Sequence, residues 1–149
     1  MPAHPELAAR NRRLSLAMPI LIVEPQGNEA DRMRETLEGM WFSDIDRAPD
    51  GLAALAMLNE KKYGLVIAAL EMEPIDGLQL LRRVRSDDFM DTCFVLVGAS
   101  TKIEPVVAAK QAHVDGYLLK PFTRRALRSK VRQVLARQTA GRLNSGSLS

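Results

Sequence analysis

Short, continuous apolar runs recur along this chain: Ile20-Leu21-Ile22-Val23, Leu65-Val66-Ile67-Ala68 and Phe94-Val95-Leu96-Val97. Four apolar residues in a row leave no polar face, so each run suits a strand covered on both sides. Helical patterns separate the runs. Asn28 is placed to cap a helix whose inward stripe is Met33, Leu37 and Met40. A weaker strand passes through residues 45–48, and after the turn Pro49-Asp50-Gly51 residues 52–59 read as a short Ala/Leu helix. The loop 71–77 leads into a helix with Leu78, Leu81 and Val84 inward and Arg82, Arg83 and Arg85 outward. Thr101-Lys102-Ile103-Glu104 has the capping-box form, and Pro105 is tolerated only in a first turn. Tyr117-Leu118-Leu119 makes the last strand and Pro121 stops it. Residues 124–138 then form a helix with Leu127, Val131, Val134 and Leu135 inward.

Strands alternating with helices at this spacing predict an α/β fold, a doubly wound five-stranded parallel sheet with helices on both faces. The 149 residues are enough for one such domain. Residues 18–138 are expected to form it, with 1–17 a flexible N-terminal extension and 139–149 a polar, frayed tail too short to build an output domain. Ligands of such folds bind beyond the carboxyl ends of the strands. The residues to question are therefore Glu24-Pro25, Ala69, Gly98 and Lys120.

Composition narrows the chemistry. Cys93 is the one cysteine, and His4 and His113 are the two histidines, far apart in sequence. Neither an intrachain disulfide nor a His/Cys zinc spacing is available. A hydrolase or metalloenzyme of familiar type is not expected, and no enzyme activity is assigned. Residues 14–23 with Arg10, Arg12 and Arg13 before them imitate a signal peptide, but Pro19 interrupts the run and Glu24-Pro25 follows at once. No stretch reaches the roughly 20 apolar residues of a membrane span, so a cytoplasmic location is expected. The net charge of +3 hides an asymmetry: residues 121–149 hold seven Lys/Arg and no acid, whereas all 18 Asp/Glu lie before them. Such an end attracts acidic partners or nucleic acid, or is a solvated helix face with a basic tail.

Several segments together resemble the receiver domain of two-component response regulators, the single-domain chemotaxis type included. They are Ile20-Leu21-Ile22-Val23-Glu24-Pro25, Ala48-Pro49-Asp50-Gly51, Met72-Glu73-Pro74-Ile75-Asp76-Gly77-Leu78, and Ala112-His113-Val114-Asp115-Gly116-Tyr117-Leu118-Leu119-Lys120-Pro121-Phe122. The resemblance implies a flavodoxin-like (α/β)5 receiver fold. It also implies phosphoryl transfer from a kinase histidine to an aspartate ending the third strand. An acid pair after the first strand holds Mg²⁺ with that aspartate, while a hydroxyl after the fourth strand and a lysine after the fifth contact the phosphoryl oxygens.

Carried over position by position, the resemblance breaks where that chemistry is done. The phosphoacceptor position falls on Ala69, the acid pair on Glu24 and Pro25, and the hydroxyl on Gly98; Lys120, Tyr117 and Pro121 are retained. A single replacement at Ala69 would not account for Pro25 and Gly98 as well. With one of these carboxylates left, Mg²⁺ binding is expected to be weak or absent. Lys120, lacking its usual partner, is expected to pair with Glu24, since an unpaired buried ammonium is costly.

The reading is an atypical, pseudo-receiver-type binding module of phosphorelay signalling, docking to a histidine kinase or phosphotransfer protein without accepting phosphate. Its partner face, the fourth helix, fifth strand and fifth helix, would carry Lys102, Lys110, Tyr117, Arg124, Arg125 and Arg128, and a homodimer through it is possible. One alternative is an active acceptor using Glu71 or Asp76, whose plainer roles are a rim acid and a helix cap. The other is a nucleic-acid binder acting through the basic last helix, although Phe122 is the one aromatic near it. Trp41, where the family turns out of its first helix with glycine, is either a partner contact or a cover for the helix end. Cys93 and the methionines Met33, Met40, Met57 and Met72 read as core filler, and His113 as a helix terminator.

Overall fold

The computed structural model describes residues 16–86, 91–99 and 103–148. Its elements run β1 (Ile20–Val23), α1 (Gly27–Gly39), β2 (Ile45–Ala48), α2 (Gly51–Glu60), β3 (Leu65–Ala69), α3 (Gly77–Ser86), β4 (Cys93–Gly98), α4 (Ile103–Gln111), β5 (Gly116–Leu119) and α5 (Arg124–Leu148). The strands form one parallel sheet in the order β2-β1-β3-β4-β5. This is the doubly wound parallel sheet that the apolar runs predict, in the flavodoxin-like order that the resemblance implies.

The runs are buried on both sides, as their lack of a polar face requires. Every residue of β1 has no exposed surface, and β3 and β4 are buried throughout. Alternate residues feed two separate cores. Ile20, Ile22, Leu65, Ile67, Val95 and Val97 pack with Met33 and Leu37 of α1 and Leu127, Val131 and Val134 of α5. Leu21, Val23, Val66, Ala68, Phe94 and Leu96 pack with α2, α3 and α4 on the other face. Burying each such side chain contributes about 1.5–3 kcal/mol, so the sheet itself dominates the fold's stability. Cys93 is packed among the apolar residues, and the four methionines are buried or packed against the cores.

Several local expectations need correction. Asn28 lies inside α1; the N-cap is Gln26, whose side chain makes no capping bond. The helix starts two residues earlier because the Gln26 carbonyl accepts from the Ala30 amide. In α3, Leu80 is fully buried beside Leu81 and Val84, while Leu78 is half-buried. Arg85 does not face outward. Its guanidinium donates to the Thr92 carbonyl (2.6 Å), the His113 carbonyl (3.0 Å) and Asp115 Oδ2 (2.8 Å), and the side chain is only 9% exposed. Asp115 also accepts from the Phe94 amide (2.7 Å), so this arginine ties α3 to β4 and to the β5 approach. The α5 backbone continues past Gln138 to Leu148, with no proline to stop it. His113, at φ 62°, closes α4 as anticipated. The capping residues Thr101 and Lys102 lie outside the described residues, as do residues 1–15 of the expected extension 1–17.

Candidate functional site

Strand register builds the site. Val23 pairs with Ala68, Ala69 with Val97, and Gly98 with Leu119. The next residue along each strand or loop therefore brings Glu24, Ala69, Gly98 and Lys120 to one carboxyl edge.

Glu24 is 1% exposed, an acid at the end of an apolar strand. Lys120 Nζ lies 3.3 Å from Glu24 Oε1 and 2.9 Å from Glu29 Oε2. The Glu24–Lys120 pair anticipated from the sequence is present. Glu29 is the addition that sequence reasoning missed. Its signal was the spacing, since a residue in the first turn of α1 sits over the end of β1, and the helix's positive end favours an acid there.

Two carboxylates sharing one ammonium cannot both ionise freely. Burial, reinforced by a hydrogen bond shared with Glu29, pushes Glu24 up to about 7, even though Lys120 pulls the other way. Glu29 is held below the usual carboxylate range, first by its hydrogen bond with Glu24 and then by Lys120. Burial draws the Lys120 ammonium down, but its bonds to Glu29 and Glu24 outweigh this and keep it above the ordinary lysine range. The trio thus carries its own neutralisation.

A second cation guards the same edge. Arg47, from β2, donates to the Glu24 carbonyl through Nε (3.2 Å) and Nη2 (2.8 Å), and to the Pro25 carbonyl (3.1 Å). These contacts were not legible from the sequence, where Arg47 is one arginine among many.

The remaining acids are otherwise engaged. Asp76 accepts from the Gln79 amide (2.7 Å) while Gln79 Oε1 accepts from the Asp76 amide (2.9 Å), a reciprocal cap on α3. Glu71 Oε1 accepts from the Ala99 amide (3.0 Å), bridging the loops after β3 and β4.

Gly98 does more than remove a hydroxyl. A Cβ built there would lie 2.6 Å from Tyr117 Oη and 3.1 Å from Leu70 Cβ. The phenol has turned into the space that the missing side chain leaves. Among the described residues, its Oη is the buried side-chain polar atom without a hydrogen-bond partner. Such an orphan costs about 1–3 kcal/mol. Burial, with the Glu71 charge adding to it, raises the phenol's pKa.

The expected partner face changes accordingly. The Tyr117 hydroxyl is buried and not available to a partner, and Lys102 lies outside the described residues. Lys110 and Arg125 are exposed and Arg128 is half-exposed. Arg124 turns towards α1, where it pairs with Glu35 at 2.9 Å, because α5 begins beside that helix. Arg124 also lines, with Glu29, Arg32, Thr36, Lys120 and Phe122, a cavity of about 390 Å³ next to the trio.

A parallel sheet of this order, with helices on both faces, defines a doubly wound, flavodoxin-like α/β domain. The profile of the family described as "Response regulator receiver domain" matches residues 20–132. The chain belongs to that family, the receiver domains of two-component signalling. It is 33% identical over 125 residues to chemotaxis protein CheY-3 of Vibrio cholerae, covering 83% of this chain and 96% of that one. It is also 33% identical over 121 residues to chemotaxis protein CheY of Pseudomonas aeruginosa, covering 80% and 98%. A CheY-like receiver domain protein of Methanospirillum hungatei superposes with a TM-score of 0.78 at 22% identity, covering 84% of this chain and 98% of that one. A putative response regulator of Chloroflexus aurantiacus gives 0.75 at 26%, covering 80% and 98%.

The residues here do not fit the magnesium ion that the family implies. Ala69 offers a methyl group, the Pro25 carbonyl is taken by Arg47, and the Glu24 carboxylate faces an ammonium. Among the described residues, no three His, Cys, Asp or Glu side chains are grouped to hold a metal. Mg²⁺ asks for several oxygen ligands and gives up water reluctantly.

Two outcomes follow for the cluster. Glu24 holds its proton better in the folded than in the unfolded chain, so its contribution to stability is complete below about 4.5 and is lost as pH rises towards about 7. Urea denaturation from pH 4.5 to 7.5 is expected to show this decline in the wild type and a flatter profile in Glu24→Gln; equal slopes would exclude it. Gly98→Ser is expected to expel the phenol, bringing the Tyr117 pKa back towards the ordinary tyrosine range. Nuclear magnetic resonance of labelled tyrosine reads this directly, and an unchanged Tyr117 titration would show that the notch does not hold the ring.

Proposed function

We propose that this receiver domain is a pseudo-receiver that works as a protein-docking module of two-component signalling without aspartyl phosphorylation. The observation that carries this reading is the closed charge balance at the strand edge. Lys120, which would otherwise stabilise an incoming phosphoryl group, is already bonded to Glu24 and Glu29, and the acceptor position is the methyl of Ala69. Phosphoryl transfer works by positioning and by neutralising spreading negative charge. Here no acceptor oxygen is in position, and the neutralising lysine is engaged.

Glu71 and Asp76 are poor substitutes as acceptors, since each carboxylate is committed to a backbone amide that orders its loop. The similarity to chemotaxis proteins supports a histidine kinase, a phosphotransfer protein or another component of such a pathway as partner. A cytoplasmic site of action is part of this reading; among the described residues no helix is long and apolar enough to cross a membrane. The domain is assigned no catalytic activity.

The test is intact-mass measurement after incubation with Mg²⁺ and acetyl phosphate. No phosphoryl adduct is expected on the wild type, whereas the triple variant Pro25→Asp, Ala69→Asp, Gly98→Thr, which puts the missing oxygens back, is expected to take one up. An adduct on the wild type, mapped to Glu71 or Asp76, would overturn the reading.

A further inference from the structure

Trp41 is held where the fold gains little from it. It follows the end of α1, where the Phe42 amide donates to the Leu37 carbonyl (3.2 Å) and the Trp41 amide to the Glu38 carbonyl (2.9 Å). These are the paired bonds of a Schellman close, and they put Trp41 at φ 74°. That left-handed position suits glycine, and a bulky aromatic there is strained. Packing does not compensate, because the side chain is 79% exposed while its neighbours Met40 and Phe42 pack into the core.

Two grooves flank the indole. One, towards α5, is lined by Met40, Phe42, Arg132, Leu135 and Ala136, and the other by Arg34, Glu38, Ser43 and Ile45. Both combine apolar side chains with basic ones, and Glu38 is the one acid lining either. Along α5, Arg125, Arg128 and Arg132 follow at i, i+3 and i+7 and so share one side of the helix. Among the described residues none of the three is ion-paired, and no acid occurs anywhere from residue 121 onward.

We propose that Trp41 and this arginine row form a docking surface for an acidic amphipathic helix of a partner protein. Its apolar side chains would seat around the indole and its carboxylates would lie along the arginines. An exposed tryptophan beside arginines has the composition of an interface hot spot. Charge selects the occupant: a second copy paired through this face would bring arginines against arginines. Nucleic acid would meet one aromatic at the end of a basic row rather than a stacking platform. The Trp41 and Arg132 end of this surface lies opposite Lys120, while Arg125 stands in the first turn of α5 on the Lys120 side. None of these residues belongs to the Glu24–Glu29–Lys120 cluster, so the proposal does not depend on whether that edge takes phosphate.

Trp41 is the chain's one tryptophan, so its fluorescence reports on the site. The full chain is titrated with a synthetic peptide carrying glutamate on one helical face and leucine on the other. Polyglutamate and duplex DNA serve as comparisons. The expected result is a saturable blue shift with the amphipathic peptide alone. By anisotropy of the labelled peptide, Trp41→Gly is expected to weaken binding about tenfold or more, and Arg125→Glu with Arg132→Glu to abolish it. Trp41→Gly is also expected to raise Tm by about 2–4 °C, since glycine takes this backbone conformation without strain. That gain separates lost contact from lost fold. Binding that survives Trp41→Gly, equal binding of polyglutamate, preference for DNA, or self-association that Trp41→Gly removes would each overturn the proposal.

Discussion

A lysine ammonium at the edge of an apolar sheet must find negative charge or lose its proton, and much of this domain's carboxyl edge is arranged around that demand. Lys120 is met by two acids from different places, Glu24 ending β1 and Glu29 in the first turn of α1. The parallel register supplies one and the helix docked above it the other. Burial disfavours charge on Glu24 and raises its pKa to about 7, while the bonds from Glu24 and Lys120 favour charge on Glu29. Arg47 then closes the mouth by binding the carbonyls of Glu24 and Pro25. What remains is a polar cluster in which the Lys120 ammonium is bonded to both carboxylates.

Gly98 and Tyr117 extend the same theme along the edge. Without a side chain at Gly98, the phenol lies inward with its oxygen unpartnered. That places an unsatisfied polar group next to Gly98 and near the charge of Glu71, whose carboxylate bridges to the Ala99 amide. Tyr117 is therefore a group whose position a neighbouring contact can change at modest cost. At the opposite end of the sheet, Trp41 reverses the arrangement, with an apolar group turned out where a glycine would serve the backbone better.

Much of this was legible in the sequence, for identifiable reasons. The doubly wound sheet follows from β1, β3 and β4, whose unbroken apolar runs admit no exposed face. Glu24, Ala69, Gly98 and Lys120 could be placed at one edge because each follows a strand, and the Glu24–Lys120 pair follows from electrostatics once both are put there. The misses share a different cause. Glu29, Arg47 and Arg85 are ordinary charged residues whose roles depend on what lies across the sheet or in the next layer. Arg85 looked solvent-facing by helical periodicity, yet two carbonyls and Asp115 draw it in. The Gln26 cap departs from the Asn28 preference because backbone bonds alone set that boundary. The Tyr117 position was hidden because the space it fills is made by a glycine on another strand.

The most direct test of the central claim, that Lys120 and its two carboxylates replace a metal-phosphate centre, is a Mg²⁺ titration followed by amide nuclear magnetic resonance. The account predicts no saturable shift at Glu24, Ala69, Glu71 or Lys120 through millimolar Mg²⁺. Saturable movement of those amides, fitting one site, would show that the cluster opens to a cation and would contradict it.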